Sequence, residues 1–115
     1  MNKIELMGRL TKEVEILKSK KGVDYAKFTI AVPRKNNKEI TDFIDVVAFG
    51  KLVEVINKYV EKGNRIIVVG QLNIDTYTDK DGNTKKAVVV VLEDFYFVDF
   101  KAKEKKEETT DELPY

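Results

Sequence analysis

Three aromatic residues and six basic ones carry most of the chemistry this sequence offers. Phe43, Phe49 and Tyr77 each stand in a strand-like segment beside polar or basic residues, and Arg9, Arg34, Lys35, Lys51, Lys85 and Lys86 are spread among the same segments. Flat rings accept stacked nucleobases at about 1–3 kcal/mol per base, whichever base it is, because every base has a π-face. Cationic side chains neutralise the phosphates between those bases. The same residues also have a plainer use. Phe and Tyr in strands are commonly core, and exposed Lys is commonly just solvated.

Catalysis finds less to work with. The chain has no Cys and no His, which removes a thiolate nucleophile or zinc site and the commonest general base. Asp75, Asp79 and Asp81 could be imagined around a cation, but the further oxygen ligands and the closing Glu of a calcium loop are missing. They read as hairpin-turn residues. Gly50-Lys51 ahead of a helix hints at phosphate binding without the Gly-rich loop of a P-loop. No nucleophile sits beside a base that would activate it. These residues describe a binding protein, with no enzyme activity, metal or cofactor expected.

The positioning elements follow from hydrophobic spacing. Ile4, Leu6 and Leu10 alternate in a first strand, where Gly8 leaves room for a bend or a close backbone approach. A short second piece runs from Val14 to Leu17, and Val23 to Val32 forms the next strand, with Phe28, Ile30 and Val32 on one face and Pro33 at its end. In the segment 42–49, Phe43, Asp45, Val47 and Phe49 share one face while Ile44, Val46 and Ala48 share the other. Leu52, Val55, Ile56, Tyr59 and Val60 then follow a helical stripe, and Gly63 stands where a C-terminal cap belongs. Arg65 to Thr76 is a strand with Ile66, Val68, Leu72 and Ile74 in phase. The stretch Asp79-Lys80-Asp81-Gly82-Asn83 is a hairpin turn, and the last strand runs from about Thr84 to Val98.

Three strands, one helix and two strands make an all-β domain with one helix. The arrangement matches a five-stranded OB-fold barrel with the helix between strands three and four, although other small antiparallel barrels fit it too. At 115 residues, 43% hydrophobic and 36% charged, the chain holds one domain with a core, over residues 1–100. Lys101 onward is Lys- and Glu-rich without periodicity, so 101–115 is expected to be a short disordered tail. No apolar run is long enough to span a bilayer and no signal-peptide core is present, so a soluble cytoplasmic protein is expected. The net charge of +1 divides into +5 over residues 1–106 and −4 over Glu107 to Tyr115. That asymmetry suits a body that meets an anion and a tip that meets something basic, and equally an ordinary surface with a solubilising tail.

The ordered motifs carry a resemblance. Met1 to Thr11, Phe28-Thr29-Ile30-Ala31-Val32, Thr41-Asp42-Phe43-Ile44, Phe49-Gly50-Lys51-Leu52-Val53-Glu54, Tyr59-Val60-Glu61-Lys62-Gly63, Val69-Gly70-Gln71-Leu72 and Tyr77-Thr78-Asp79-Lys80-Asp81-Gly82 occur in this order. Together they resemble the bacterial single-stranded DNA-binding proteins across about residues 1–98. The resemblance implies an OB fold, a homotetramer, and sequence-independent protection of single-stranded DNA in replication, recombination and repair, in the cytoplasm at the nucleoid. Family stacking positions fall on Phe43, Phe49 and Tyr77. A further family aromatic falls near Arg34-Lys35, where a guanidinium plane is the available substitute. The strand before Tyr77, usually basic in the family, here reads Asn73-Ile74-Asp75-Thr76, and Asp75 should repel phosphate.

The end of the chain, Asp111-Glu112-Leu113-Pro114-Tyr115, resembles the family's acidic-apolar tip with Tyr115 in place of the usual Phe. The resemblance implies that it docks on replication and repair enzymes. A linker of about ten residues reaches at most about 35 Å. The rival readings are an OB-fold protein-interaction scaffold and an RNA-binding module, each with weak DNA binding.

Overall fold

The computed structural model describes residues 1–98. Strands β1 (Ile4–Leu10), β2 (Glu15–Lys18), β3 (Asp24–Pro33) and β4 (Thr41–Phe49) precede helix α1 (Lys51–Tyr59), and β5 (Arg65–Thr78) and β6 (Thr84–Phe97) follow it. The expected order holds, with six strands where five are expected, because the short second piece is a strand of its own. β1 and β2 nevertheless share one partner. Leu10 faces Ile30 of β3, and Glu15 to Lys18 face Lys27 to Asp24 farther along the same strand. They behave as one strand interrupted over residues 11–14.

The sheet order is β1-β5-β6-β4-β3-β2, and the further pairing of β1 with β3 closes β1, β5, β6, β4 and β3 into a ring. Its pairs are antiparallel except β4 with β6, which run parallel. This is the OB-fold arrangement. Period-two alternation sends Ala26, Phe28 and Ile30 of β3, Val46 and Ala48 of β4, Ile66 and Val68 of β5, and Val90 and Leu92 of β6 into the closed interior.

Helix α1 packs on β3 and β4 and buries Val53, Ile56 and, just past its end, Val60. The expected stripe is thereby corrected. Val55 and Tyr59 are 40% and 56% exposed, and Val53 faces the core in their place. Apolar residues surround Ile56 on both sides, so the 3.6-residue template fits two faces, and the strands beneath the helix decide between them. Gly63 is not the helix cap either. The helix closes at Val60, whose N–H donates to the Ile56 carbonyl, while the Gly63 N–H donates to the Leu10 carbonyl at 3.0 Å.

The hairpin turn forms as expected. Gly82 takes φ 86°, and Asp79 Oδ1 accepts the N–H groups of Asp81 at 3.0 Å and Asn83 at 2.9 Å. Those bonds, led by that from Asn83, hold the Asp79 carboxyl below its ordinary pKa. Gly8 marks a close backbone approach, also as expected. A Cβ there would lie 2.7 Å from the Ala31 carbonyl oxygen, and neither backbone can move without breaking the β1–β3 pairing. Gly8→Ala is expected to cost about 1–3 kcal/mol of stability, measurable as a lowered urea midpoint. An unchanged midpoint would show that this corner yields freely.

Candidate nucleic-acid interface

The alternation that buries Val46 and Ala48 turns the other side of β4 outward. Phe43 is 66% and Phe49 44% exposed there. The register with β3 pairs Phe43 with Ala31, Asp45 with Thr29, Val47 with Lys27 and Phe49 with Tyr25. β6 continues the same surface, with Val89 beside Asp45 and Val91 beside Val47. Six residues of strand put the two phenylalanines about 20 Å apart on one face.

Tyr77 sits on the far half of the β5–β6 hairpin, which is exposed on both of its faces. Its ring is half exposed, and its cross-strand partner is Lys85. The structure therefore brings Phe43 and Phe49 together on the sheet and carries Tyr77 on the hairpin arm. All three are exposed rings rather than core.

The six basic residues divide by surroundings. Arg9 lies in one outward row with Ala31 and Phe43, and its Nη1 donates to the Gly63 carbonyl at 2.8 Å. Lys51 opens α1 two residues after Phe49, and Lys35 is exposed in the loop between β3 and β4. Lys85 shares the Tyr77 face and pairs with Asp79 at 3.4 Å. Lys86 faces Thr76 and so points to the opposite side of the hairpin. Arg34 is held by Asp42 in a two-pronged pair, Nε to Oδ2 at 3.0 Å and Nη2 to Oδ1 at 3.1 Å.

The hydrogen bond from Arg34 is the main reason the Asp42 carboxyl stays below its usual pKa, and the same bond raises the guanidinium's. The Arg34 charge is accordingly neutralised at close range across mildly acidic and neutral pH, while the side chain stays about half exposed. Asp42→Asn is expected to tighten binding of a short single strand several-fold and to steepen its salt dependence by about one counterion. A titration at two salt concentrations reads both quantities. Unchanged affinity and slope would place Arg34 outside the path of the strand.

Sequence reasoning passed over two residues of this face as site candidates. Tyr25 packs its ring against Phe49, centroids 5.6 Å apart and tilted by 32°. It has the outward phase set by buried Phe28 and Ile30, a signal present in the sequence. Asp45 lies between the two phenylalanines and accepts the Thr29 hydroxyl proton at 2.9 Å. The candidate tip, Asp111, Glu112, Leu113, Pro114 and Tyr115, lies outside the described residues. Among the described residues no helix is long and apolar enough to cross a membrane.

Comparison with known proteins gives one consistent answer. The family model described as the single-strand binding protein family matches residues 1–98. A single-stranded DNA-binding protein of Clostridium perfringens is 41% identical over 100 residues, covering 86% of this chain and 67% of that one. Single-stranded DNA-binding protein 1 of Clostridium acetobutylicum is 41% identical over 106 residues, covering 88% of this chain and 96% of its own length. A solved complex of Plasmodium falciparum SSB with ssDNA aligns with TM-score 0.72 at 29% identity, covering 86% of this chain and 96% of that one. With a closed sheet of the same fold and a family match running the length of the described residues, the chain belongs to the single-strand binding protein family.

Proposed function

We propose that this protein binds and protects single-stranded DNA, largely without regard to sequence, by stacking bases on Phe43, Phe49 and Tyr77. One observation carries the reading: Phe43 and Phe49 stand exposed on a single strand face, where a core role is ruled out by their exposure. Three stacked bases would contribute about 3–9 kcal/mol before ordering costs. The charge term is smaller, because Arg34 and Lys85 both have carboxylate partners and Asp45 lies on the face itself. Arg9, Lys35, Lys51 and Lys86 supply further cations along the flanks. The relatives' shared name, and the single strand in the Plasmodium complex, support the same reading.

The protein acts without catalysis, in the cytoplasm at the nucleoid, during replication, recombination and repair. Its assembly is a homotetramer. In support, Met7 and Tyr96, both about half exposed, flank Ile67 in one row across β1, β5 and β6, an apolar surface suited to a second copy. The segment Asp111 to Tyr115 recruits partner enzymes by its acidic-apolar chemistry. Deleting the tip is expected to leave DNA affinity equal or higher, because acidic residues compete with phosphate for basic groups. A large loss of affinity on deletion would refute that role.

The deciding experiment is fluorescence anisotropy of labelled oligo-dT against a matching duplex at two salt concentrations, with light scattering of the same sample. Tight single-strand binding, feeble duplex binding, modest salt loss and four chain masses are expected. Equal binding to both forms that vanishes with salt would mean a merely basic surface. A scaffold that binds proteins in place of DNA is the second reading, favoured by the carboxylates at Asp42, Asp45 and Asp79, and that result would select it.

A further inference from the structure

Between the two outward phenylalanines of β4 stand Asp45 and Val47, and the surface is polar on the side toward β3. Asp45 follows Phe43 by two residues, about 7 Å along the strand, and Thr29 opposes it on β3. With Lys27, Lys12, Glu13 and Glu15 they line a pocket of about 200 Å3, room for a single base. Three carboxylates against two ammonium groups make this pocket a poor seat for phosphate. Nor do the carboxylates gather into a metal-binding group among the described residues.

What the pocket offers is directional. The Thr29 hydroxyl already gives its proton to Asp45 Oδ1, so this pair presents lone pairs and no free donor. Lys27, two residues from Thr29 on the same outward side of β3, places a donor beside them, and it has no hydrogen-bond or ion-pair partner among the described residues. A carboxylate that can accept twice, next to an ammonium, complements an edge carrying two adjacent N–H donors and then a carbonyl. Guanine presents that edge: N1–H and the 2-amino group toward Asp45, O6 toward Lys27. Cytosine and adenine offer the carboxylate one amino group, and thymine one N–H.

We propose that Asp45, positioned by Thr29 and assisted by Lys27, reads a guanine edge and gives this chain a preference for guanine-containing single strands. The inference rests on the single-strand reading above and adds a modest base preference to its largely sequence-independent binding. Stacking on the neighbouring Phe43 holds the base, and the carboxylate then discriminates among bases.

The test compares short single strands of alternating dT and dG with oligo-dT, and with the same alternating strand carrying inosine for guanine, which lacks the 2-amino group. The guanine strand is expected to bind about tenfold tighter than oligo-dT, and the inosine strand to lose most of that gain. Asp45→Asn should abolish the preference and leave oligo-dT binding equal or stronger, since its remaining oxygen still accepts the Thr29 proton. Should that variant fail to melt cooperatively, the inosine comparison on the unaltered protein decides. Equal binding of all three strands, or a preference that survives in Asp45→Asn, would overturn the proposal while leaving the single-strand reading intact. No binding to any single strand would overturn both, and duplex controls tell these outcomes apart.

Discussion

Phe43→Ala is expected to weaken binding of a short oligo-dT by about 10- to 100-fold and to leave the melting temperature unchanged. One stacked base contributes about 1–3 kcal/mol, and each 1.4 kcal/mol is tenfold in affinity. The fold loses little, because the ring is 66% exposed and its strand neighbours Ile44 and Val46 hold β4 from the inside. Phe49→Ala is expected to be similar in affinity but to lower stability slightly as well, since its ring also packs on Tyr25. A ring pair of this kind is worth about 0.5–1.5 kcal/mol. Lys51→Ala removes one exposed charge at most and should weaken binding less than Phe49→Ala does. If Lys51→Ala proved the more damaging, phosphate attraction rather than stacking would be holding the strand.

The outward placement of Phe43 and Phe49 was legible in the sequence because it depends on period-two phase alone. Once Val46 and Ala48 are assigned inward, Phe43, Asp45, Val47 and Phe49 must face outward, and the hairpin turn at Asp-Gly fixes the Tyr77–Lys85 pairing with equal economy. The order of the elements along the chain was legible from the same spacing. Other features depend on what lies across space. The helix face was misread because Val53 and Val55 are alike in type and straddle Ile56, so only the strands under α1 choose between them. The pairing of Arg34 was not legible because its partner Asp42 comes eight residues later, on the far side of a loop that folds back. The break between β1 and β2 was legible as the gap between Leu10 and Val14, but their shared pairing to β3 was not. Tyr25 and Asp45 had the right phase and were not singled out, because phase says that a residue faces outward and not what stands beside it.

Phe28→Ala should give the opposite result to Phe43→Ala although the residue type is the same. Phe28 is 2% exposed and sits in the core with Ile30, Val46 and Val68 around the closed sheet. Truncating a buried phenylalanine costs about 3–5 kcal/mol, combining lost transfer energy with the cavity left behind. A domain of this size has only about 5–15 kcal/mol of stability in total, so the variant is expected to lose a large part of it and to melt well below the parent. The affinity of the molecules that remain folded should stay within about twofold, because Phe28 is almost wholly buried in the core. Chemical denaturation gives the first quantity, and anisotropy corrected for folded fraction gives the second. Near-parental stability would mean that the interior relaxes around the gap. A large affinity loss per folded molecule would mean that the outward face of β3, with Tyr25, Lys27 and Thr29, is held in place by the ring beneath it, and that stacking surface and core are one mechanical unit rather than two sides of an independent sheet.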